Sequence, residues 1–155
     1  MPQIKYGLKW PDTATALEVE FQMIRGGGYI ENRGVKYGEG LFHHFKAAQT
    51  LIWPDEYHNR WTDLILREYL ANRITVVMGS RDSSKTRTIS KAVLIDYWIL
   101  PDETLVLMTS TDSRGLEMRV WGDIKSLDER ARARYAWLPG NIADSKRGMF
   151  TDDIS

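Results

Sequence analysis

An eight-residue segment, Gly79-Ser80-Arg81-Asp82-Ser83-Ser84-Lys85-Thr86, has the residue types and spacing of a phosphate-binding loop. The glycine at its start lets the backbone turn sharply after a strand, and the N–H groups that follow can surround a polyphosphate at a helix N-terminus. Lys85 would supply a positive charge to the β- and γ-phosphate oxygens, and the Thr86 hydroxyl would bind Mg²⁺, which prefers oxygen ligands. The segment therefore predicts that these eight residues bind a polyphosphate with Mg²⁺.

The segment departs from the strict pattern G-x-x-x-x-G-K-[ST] at one position, where Ser84 replaces the second glycine. Serine needs an ordinary backbone conformation there, or it costs about 1 kcal/mol or more of strain. Arg81 could stabilise charge on the γ-phosphate during phosphoryl transfer, the alternative being an arginine in solvent. For the whole segment, the alternative is a polar turn that binds no ligand. The strand and the helix predicted on either side of the segment disfavour that alternative.

The elements around the segment are predicted from hydropathy patterns. Ile74 to Met78 is apolar and rich in β-branched residues, which predicts a central strand buried on both faces. Lys85 to Leu100 is predicted to be a helix ended by Pro101, and Thr104 to Thr109 a second buried strand. The order of strand, turn, helix and strand predicts an α/β fold in which helices flank a parallel sheet.

Further elements are predicted outside this unit. Leu17, Val19 and Phe21 alternate with polar residues, which predicts a half-buried strand in an otherwise glycine-rich, irregular stretch. The last 15 residues are polar and show only a weak hydropathy pattern. Periodic apolar residues predict three more helices: Leu41 to Ile52, Tyr57 to Ala71, and one capped by Asp112 or Ser113 with a stripe of Leu116, Val120, Ile124 and Leu127.

The composition excludes several classes of protein. Because the 155 residues include no cysteine, disulfide frameworks and cysteine-ligated metal sites are ruled out. Lysine and arginine together number 21, as do aspartate and glutamate, so the net charge is zero. A protein that coats nucleic acid by bulk charge is usually more basic, although contacts with DNA through a few loops are still allowed. No apolar run reaches the roughly 18–20 residues that cross a bilayer, and the N-terminus has no signal-peptide core. We expect a soluble cytosolic protein without membrane contact.

In its context, the segment resembles the Walker A loop of the large terminase subunits of tailed bacteriophages, the motor ATPases that package DNA. In that family the loop usually contains an arginine, as at Arg81, and often a small residue before the lysine, as at Ser84. The resemblance extends over residues 41–150, in four further stretches: Phe42 to Lys46, His58 to Trp61, Thr104 to Thr111 and Arg114 to Gly122.

The resemblance implies a P-loop NTPase-type parallel sheet and a role for each loop residue. Lys85 would grip the phosphates of ATP, Arg81 would sense or stabilise the γ-phosphate beside it, and Thr86 would hold Mg²⁺. The implied partners are double-stranded DNA, a portal, the small terminase subunit and further copies in a ring, in the host cytoplasm. The resemblance also implies that residues 41–155 are the first part of an ATPase domain, incomplete at its C-terminus. Residues 1–40, which it does not cover, are predicted from their glycines to be an irregular N-terminal extension.

Two parts of such a motor are not found in the sequence. The acidic pair that follows a later apolar strand is missing, since Asp152-Asp153 follows too short an apolar run, and so is a nuclease carboxylate cluster. We therefore expect weak or no ATP turnover from these residues alone. Trp61, close to where the family holds adenine, could stack on a base, but a core position is the favoured interpretation. Two alternative functions stay open: another, helicase-like P-loop ATPase, and a non-catalytic assembly or adaptor protein.

Overall fold

The structure is a computed structural model that describes residues 13–27, 37–80, 84–109, 116–143 and 148–150. This part of the chain is mostly helical. A π-helical segment, Leu116–Trp121, leads directly into the last helix. The helices are α1 (Thr13–Arg25), α2 (Tyr37–Ile52), α3 (Arg60–Ala71), α4 (Lys85–Ile99) and α5 (Gly122–Arg134), and the strands are β1 (Asn141–Ala143) and β2 (Gly148–Phe150).

The predicted parallel sheet, and with it the P-loop NTPase-type fold class, is wrong for the described residues. Their one ladder is the antiparallel pair β1–β2, in which Ile142 lies opposite Met149. Residues 74–80 and 104–109 form no strand, their large apolar side chains are mostly exposed, and no backbone hydrogen bond joins them to another described residue, so the two buried strands predicted over 74–78 and 104–109 are wrong. The physical reason is that β-branched and apolar side chains favour an extended backbone, whereas a sheet also needs a neighbouring strand that these local patterns do not specify.

Residues 13–25 form helix α1, so the strand predicted from the alternation of Leu17, Val19 and Phe21 is wrong. Leu17, Phe21 and Ile24 recur at helical spacing, and all three are buried in the core that α1 shares with α2. Alternation and helical periodicity share Leu17 and Phe21, so a six-residue window could not separate them. The longer helical face also buries Glu20, which would be a solvent-facing residue in the predicted strand.

The helices predicted from apolar periodicity are confirmed, with shifts at their ends. Helix α2 begins one turn before the predicted Leu41, and α4 ends one residue before the predicted Leu100. Helix α3 begins at Arg60 rather than at Tyr57 because Asn59 caps it. The predicted caps of the last helix, Asp112 and Ser113, lie outside the described residues.

One hydrophobic core joins the five helices. Trp53, which follows α2, is fully buried and donates its indole N–H to the backbone oxygen of Leu127 at 2.9 Å. Its ring lies 5.8 Å, between centroids, from that of Trp98 in α4. The Tyr135 hydroxyl, just after α5, donates to the Leu51 oxygen at 3.0 Å. These contacts fix α4 and α5 against the end of α2, and α4 is the helix that follows the phosphate-loop segment.

Candidate phosphate-binding loop

The left-handed backbone of Ser84 shapes the end of the loop. Ser84 has φ 59° and ψ 18°, immediately before α4 begins at Lys85. Glycine adopts this conformation without a steric penalty, so the strain expected from serine at the second glycine position is present. A left-handed residue followed by a helical one turns successive N–H groups towards a common side, which forms a concave site for an anion.

The N-cap residue of α4, Ser84, does not cap the helix with its side chain. The Ser84 side chain makes no capping hydrogen bond, and the first turn of α4 contains no acidic residue. Helix α3 shows the contrast, since Asn59 and Thr62 form a complete capping box at its N-terminus. The N–H groups of the first turn and the positive end of the helix dipole favour an anion at the start of α4.

The Lys85 side chain reaches back across the loop. Its Nζ donates a hydrogen bond to the Gly79 oxygen at 2.7 Å and another to the Ser80 oxygen. One ammonium group therefore links the start of the loop to the start of α4 and places a positive charge between them. Thr86 follows with an exposed side chain, whose hydroxyl makes no hydrogen bond within the described part of the chain.

The structure places five of the eight predicted site residues. Gly79, Ser80 and Lys85 are brought together, and Ser84 and Thr86 lie at the start of α4. The other three, Arg81, Asp82 and Ser83, lie outside the described residues, so their roles stay predictions.

The chemistry of the start of α4 fits a nucleotide-bound Mg²⁺. This ion commonly takes one protein hydroxyl or carboxylate together with phosphate oxygens and water, and the exposed Thr86 hydroxyl could serve as the protein ligand. Within the ranges described, no group of three or more histidine, aspartate or glutamate residues could hold a metal ion. In those same ranges, no helix combines the length and the hydropathy needed to cross a bilayer.

A charge cluster centred on Glu56, which the sequence did not reveal, anchors the first turns of α4. Two nitrogens of Arg87 bind the Glu56 carboxylate, at 2.6 and 3.3 Å, and a third binds Asp123 at 3.0 Å. Arg130 of α5 donates to the same carboxylate at 2.5 Å, and the Lys91 ammonium lies 3.8 Å from it. The helix that carries Lys85 is thus held between the α2–α3 connection and α5.

Burial and charge shift the pKa values of this cluster. Burial raises the pKa of Glu56, but hydrogen bonds from Arg87 and Arg130 and the charge of Lys91 outweigh it and lower the pKa to about 2. Burial lowers the pKa of Lys91, and the nearby Glu56 charge partly offsets that effect. Burial, followed by nearby lysine charges, lowers the pKa of His58 to about 4. At neutral pH the cluster therefore holds an ionised Glu56 and an uncharged His58.

Trp61 lies on the surface, so the core position favoured from the sequence is wrong. Its side chain is 56% exposed, and the Arg60 guanidinium carbon lies 4.4 Å from its ring centroid. Tyr57, also exposed, precedes it, and Glu56 connects this stretch to the first turn of α4. The exposed indole keeps the predicted stacking on a base as a hypothesis.

Comparison of the chain with protein-family models gives no match, and comparisons with curated proteins and with solved structures give none either. The resemblance to large terminase subunits therefore rests on the loop and its adjoining stretches alone.

Proposed function

We propose that residues 79–86 bind the triphosphate of ATP with Mg²⁺, and that the chain is the ATP-binding part of a terminase large subunit. The observation that carries this proposal is the Lys85 ammonium, which two backbone oxygens from the start of the loop hold across it. A phosphate chain bound there would meet the lysine charge and the positive N-terminal end of α4 together.

Each described loop residue has a distinct task in this proposal. The left-handed Ser84 turns the backbone so that its N–H groups converge on the anion. Lys85 neutralises charge on the β- and γ-phosphates, and Thr86 would hold Mg²⁺, which supplies further neutralisation when it is bound. By resemblance, Arg81 would stabilise charge on the γ-phosphate. In the full motor, hydrolysis would drive translocation of double-stranded DNA.

Calorimetric titration with ATP and Mg²⁺ tests the binding site. Lys85→Ala should weaken ATP binding at least tenfold, because charge-assisted contacts to phosphate are among the strongest hydrogen bonds. Arg134→Ala is the matched control: it also removes one positive charge, but Arg134 is exposed and lies in the last turn of α5, with Asp55 4.0 Å away. We expect the control to bind ATP like the unmodified protein.

A second variant separates loss of the ligand contact from loss of loop structure. Thr86→Ala should lower affinity in the presence of Mg²⁺ and leave it unchanged in excess chelator. Equal, negligible heats for the unmodified protein and Lys85→Ala would contradict the proposal and favour the non-catalytic adaptor. ATP hydrolysis at a rate normal for motor ATPases would contradict the expected weak turnover of these residues alone.

A further inference from the structure

Two segments without regular secondary structure expose large apolar side chains to solvent. Residues 74–80 follow α3, and residues 104–109 follow α4. In residues 74–78 exposed side chains alternate with half-buried ones, and in residues 104–109 Leu105 and Leu107 lie on either side of the less exposed Val106. The exposed members are between 79% and 91% accessible and are Ile74, Val76, Met78, Leu105 and Leu107.

Hydrogen bonds to the two preceding helices show that the segments start side by side. The Thr75 hydroxyl donates to the Glu68 oxygen of α3 at 3.0 Å, and the Thr104 hydroxyl donates to the Asp96 oxygen of α4 at 3.4 Å. Tyr69, which follows Glu68, donates its hydroxyl to the Asp96 carboxylate and so joins the two anchors. Because both threonines point towards the helices, the side chains that alternate with them point away from the helices.

The exposed apolar side chains belong to segments that have no charged residues of their own, and the nearest charge described is Lys85, at the Gly79–Ser80 end. Neither segment includes an aspartate, glutamate, lysine or arginine. A soluble monomer rarely exposes a contiguous apolar patch of more than a few hundred Å² unless that patch binds something. A charge-free face is suited to a partner that is itself charge-free, since no ion then has to be desolvated.

We propose that two copies of the chain pack these apolar faces against each other across a twofold axis. The face needs an uncharged and equally extended partner, and a second copy supplies one of the same size and shape. Burying five such side chains removes on the order of 100 Å² each from water, and the adjoining backbone brings the area towards the roughly 800 Å² per partner of a stable interface.

Sedimentation and light scattering over a range of protein concentrations test this dimer. The unmodified protein should be a dimer at micromolar concentration. Val76→Lys and Leu105→Lys, each placing a charge in the proposed interface, should raise the dimer dissociation constant at least 100-fold with unchanged helical circular dichroism. Tyr57→Lys is the matched control, since Tyr57 is 72% exposed but lies before α3, outside both segments.

Hydroxyl-radical footprinting of the unmodified protein provides a measurement that needs no variant. The exposed side chains of Met78 and Leu105 should be labelled less at high protein concentration and more on dilution. A monomer at every concentration, a polydisperse aggregate, or a dimer that persists in both lysine variants would overturn the proposal. Thr86→Ala, which should weaken the binding of ATP with Mg²⁺ and lies outside both segments, should dimerise normally, so this inference stands or falls separately from nucleotide binding.

Discussion

Replacing Glu56 with glutamine should lower the free energy of unfolding by about 3 kcal/mol at pH 7. The Glu56 carboxylate accepts hydrogen bonds from Arg87 and Arg130 and neutralises Lys91, whose side chain is only 2% exposed. Glutamine has almost the same volume but no charge, so Lys91 would remain buried without a counter-ion. Removing one partner of a buried ion pair typically costs about 3–5 kcal/mol, and the partial exposure of the arginines places this case at the lower end.

The pKa of Glu56 gives a similar loss of stability and determines the pH range over which that loss appears. Its fall from 4.5 to about 2 in the folded protein corresponds to about 3 kcal/mol, at roughly 1.4 kcal/mol per unit. Because the folded-state pKa lies below the unfolded value, the carboxylate stabilises the fold fully above pH 4.5. This stabilisation is lost as the pH falls from 4.5 towards 2.

Urea denaturation, followed by circular dichroism at several pH values, measures the difference in the free energy of unfolding between the unmodified protein and Glu56→Gln. The difference should be largest at pH 7 and shrink steadily below pH 4.5. Glu129→Gln is the matched control, because Glu129 is an exposed acid on α5, and it should change stability by less than about 0.5 kcal/mol. A difference below about 1 kcal/mol at pH 7, or one that stays constant down to pH 2.5, would refute the reasoning.

Three further predictions concern single side chains. Because the pKa of His58 falls from 6.5 to about 4 on folding, the unmodified protein should lose stability as the pH falls through that range. His58→Gln should flatten this loss in urea denaturation at pH 7 and pH 5, and an unchanged slope would contradict it. Ser84→Gly should leave the free energy of unfolding unchanged or raise it by up to about 1 kcal/mol, because glycine relieves the left-handed strain. Ser126→Gly, at an exposed position inside α5, should lower it by about 0.5–1 kcal/mol. Equal losses in the two variants would count against strain at Ser84. Trp53→Ala should lower the free energy of unfolding by about 3–5 kcal/mol and Trp61→Ala by less than about 1 kcal/mol, since only Trp53 is buried. Similar midpoints of denaturation for the two variants would contradict this prediction.

Helices were predictable because their signals are local. The bounds of α4 follow from the polar segment before Lys85 and from Pro101, which restricts Leu100. The start of α3 was missed by one turn, although its signal was present in the sequence. Asn59 with Thr62 three residues later is a capping pair, and it marks the first helical residue more sharply than apolar periodicity does.

Pairing between distant residues could not be predicted in the same way. Residues 74–78 have the composition of a buried strand, but whether such a strand is covered depends on what packs against it. The Glu56 cluster joins residues that are 31 and 74 positions apart, and its charged residue types are those usually found on surfaces. The exposure of Trp61 was misjudged for a related reason, since large aromatic residues are usually buried and only the packing of α3 determines which of its faces is free.

The charge cluster and the loop are connected through the first turns of α4, and this connection explains how a serine can replace glycine at position 84. A left-handed serine costs about 1 kcal/mol and persists only where neighbouring contacts fix the backbone. Both the N–H and the hydroxyl of Thr88 donate to the Ser84 oxygen, at 2.9 and 2.8 Å. Arg87, which lies between Ser84 and Thr88 in the chain, donates hydrogen bonds to Glu56 and Asp123. The helix start is therefore rigid before any anion binds, so the N–H groups of α4 need little reorganisation to receive one.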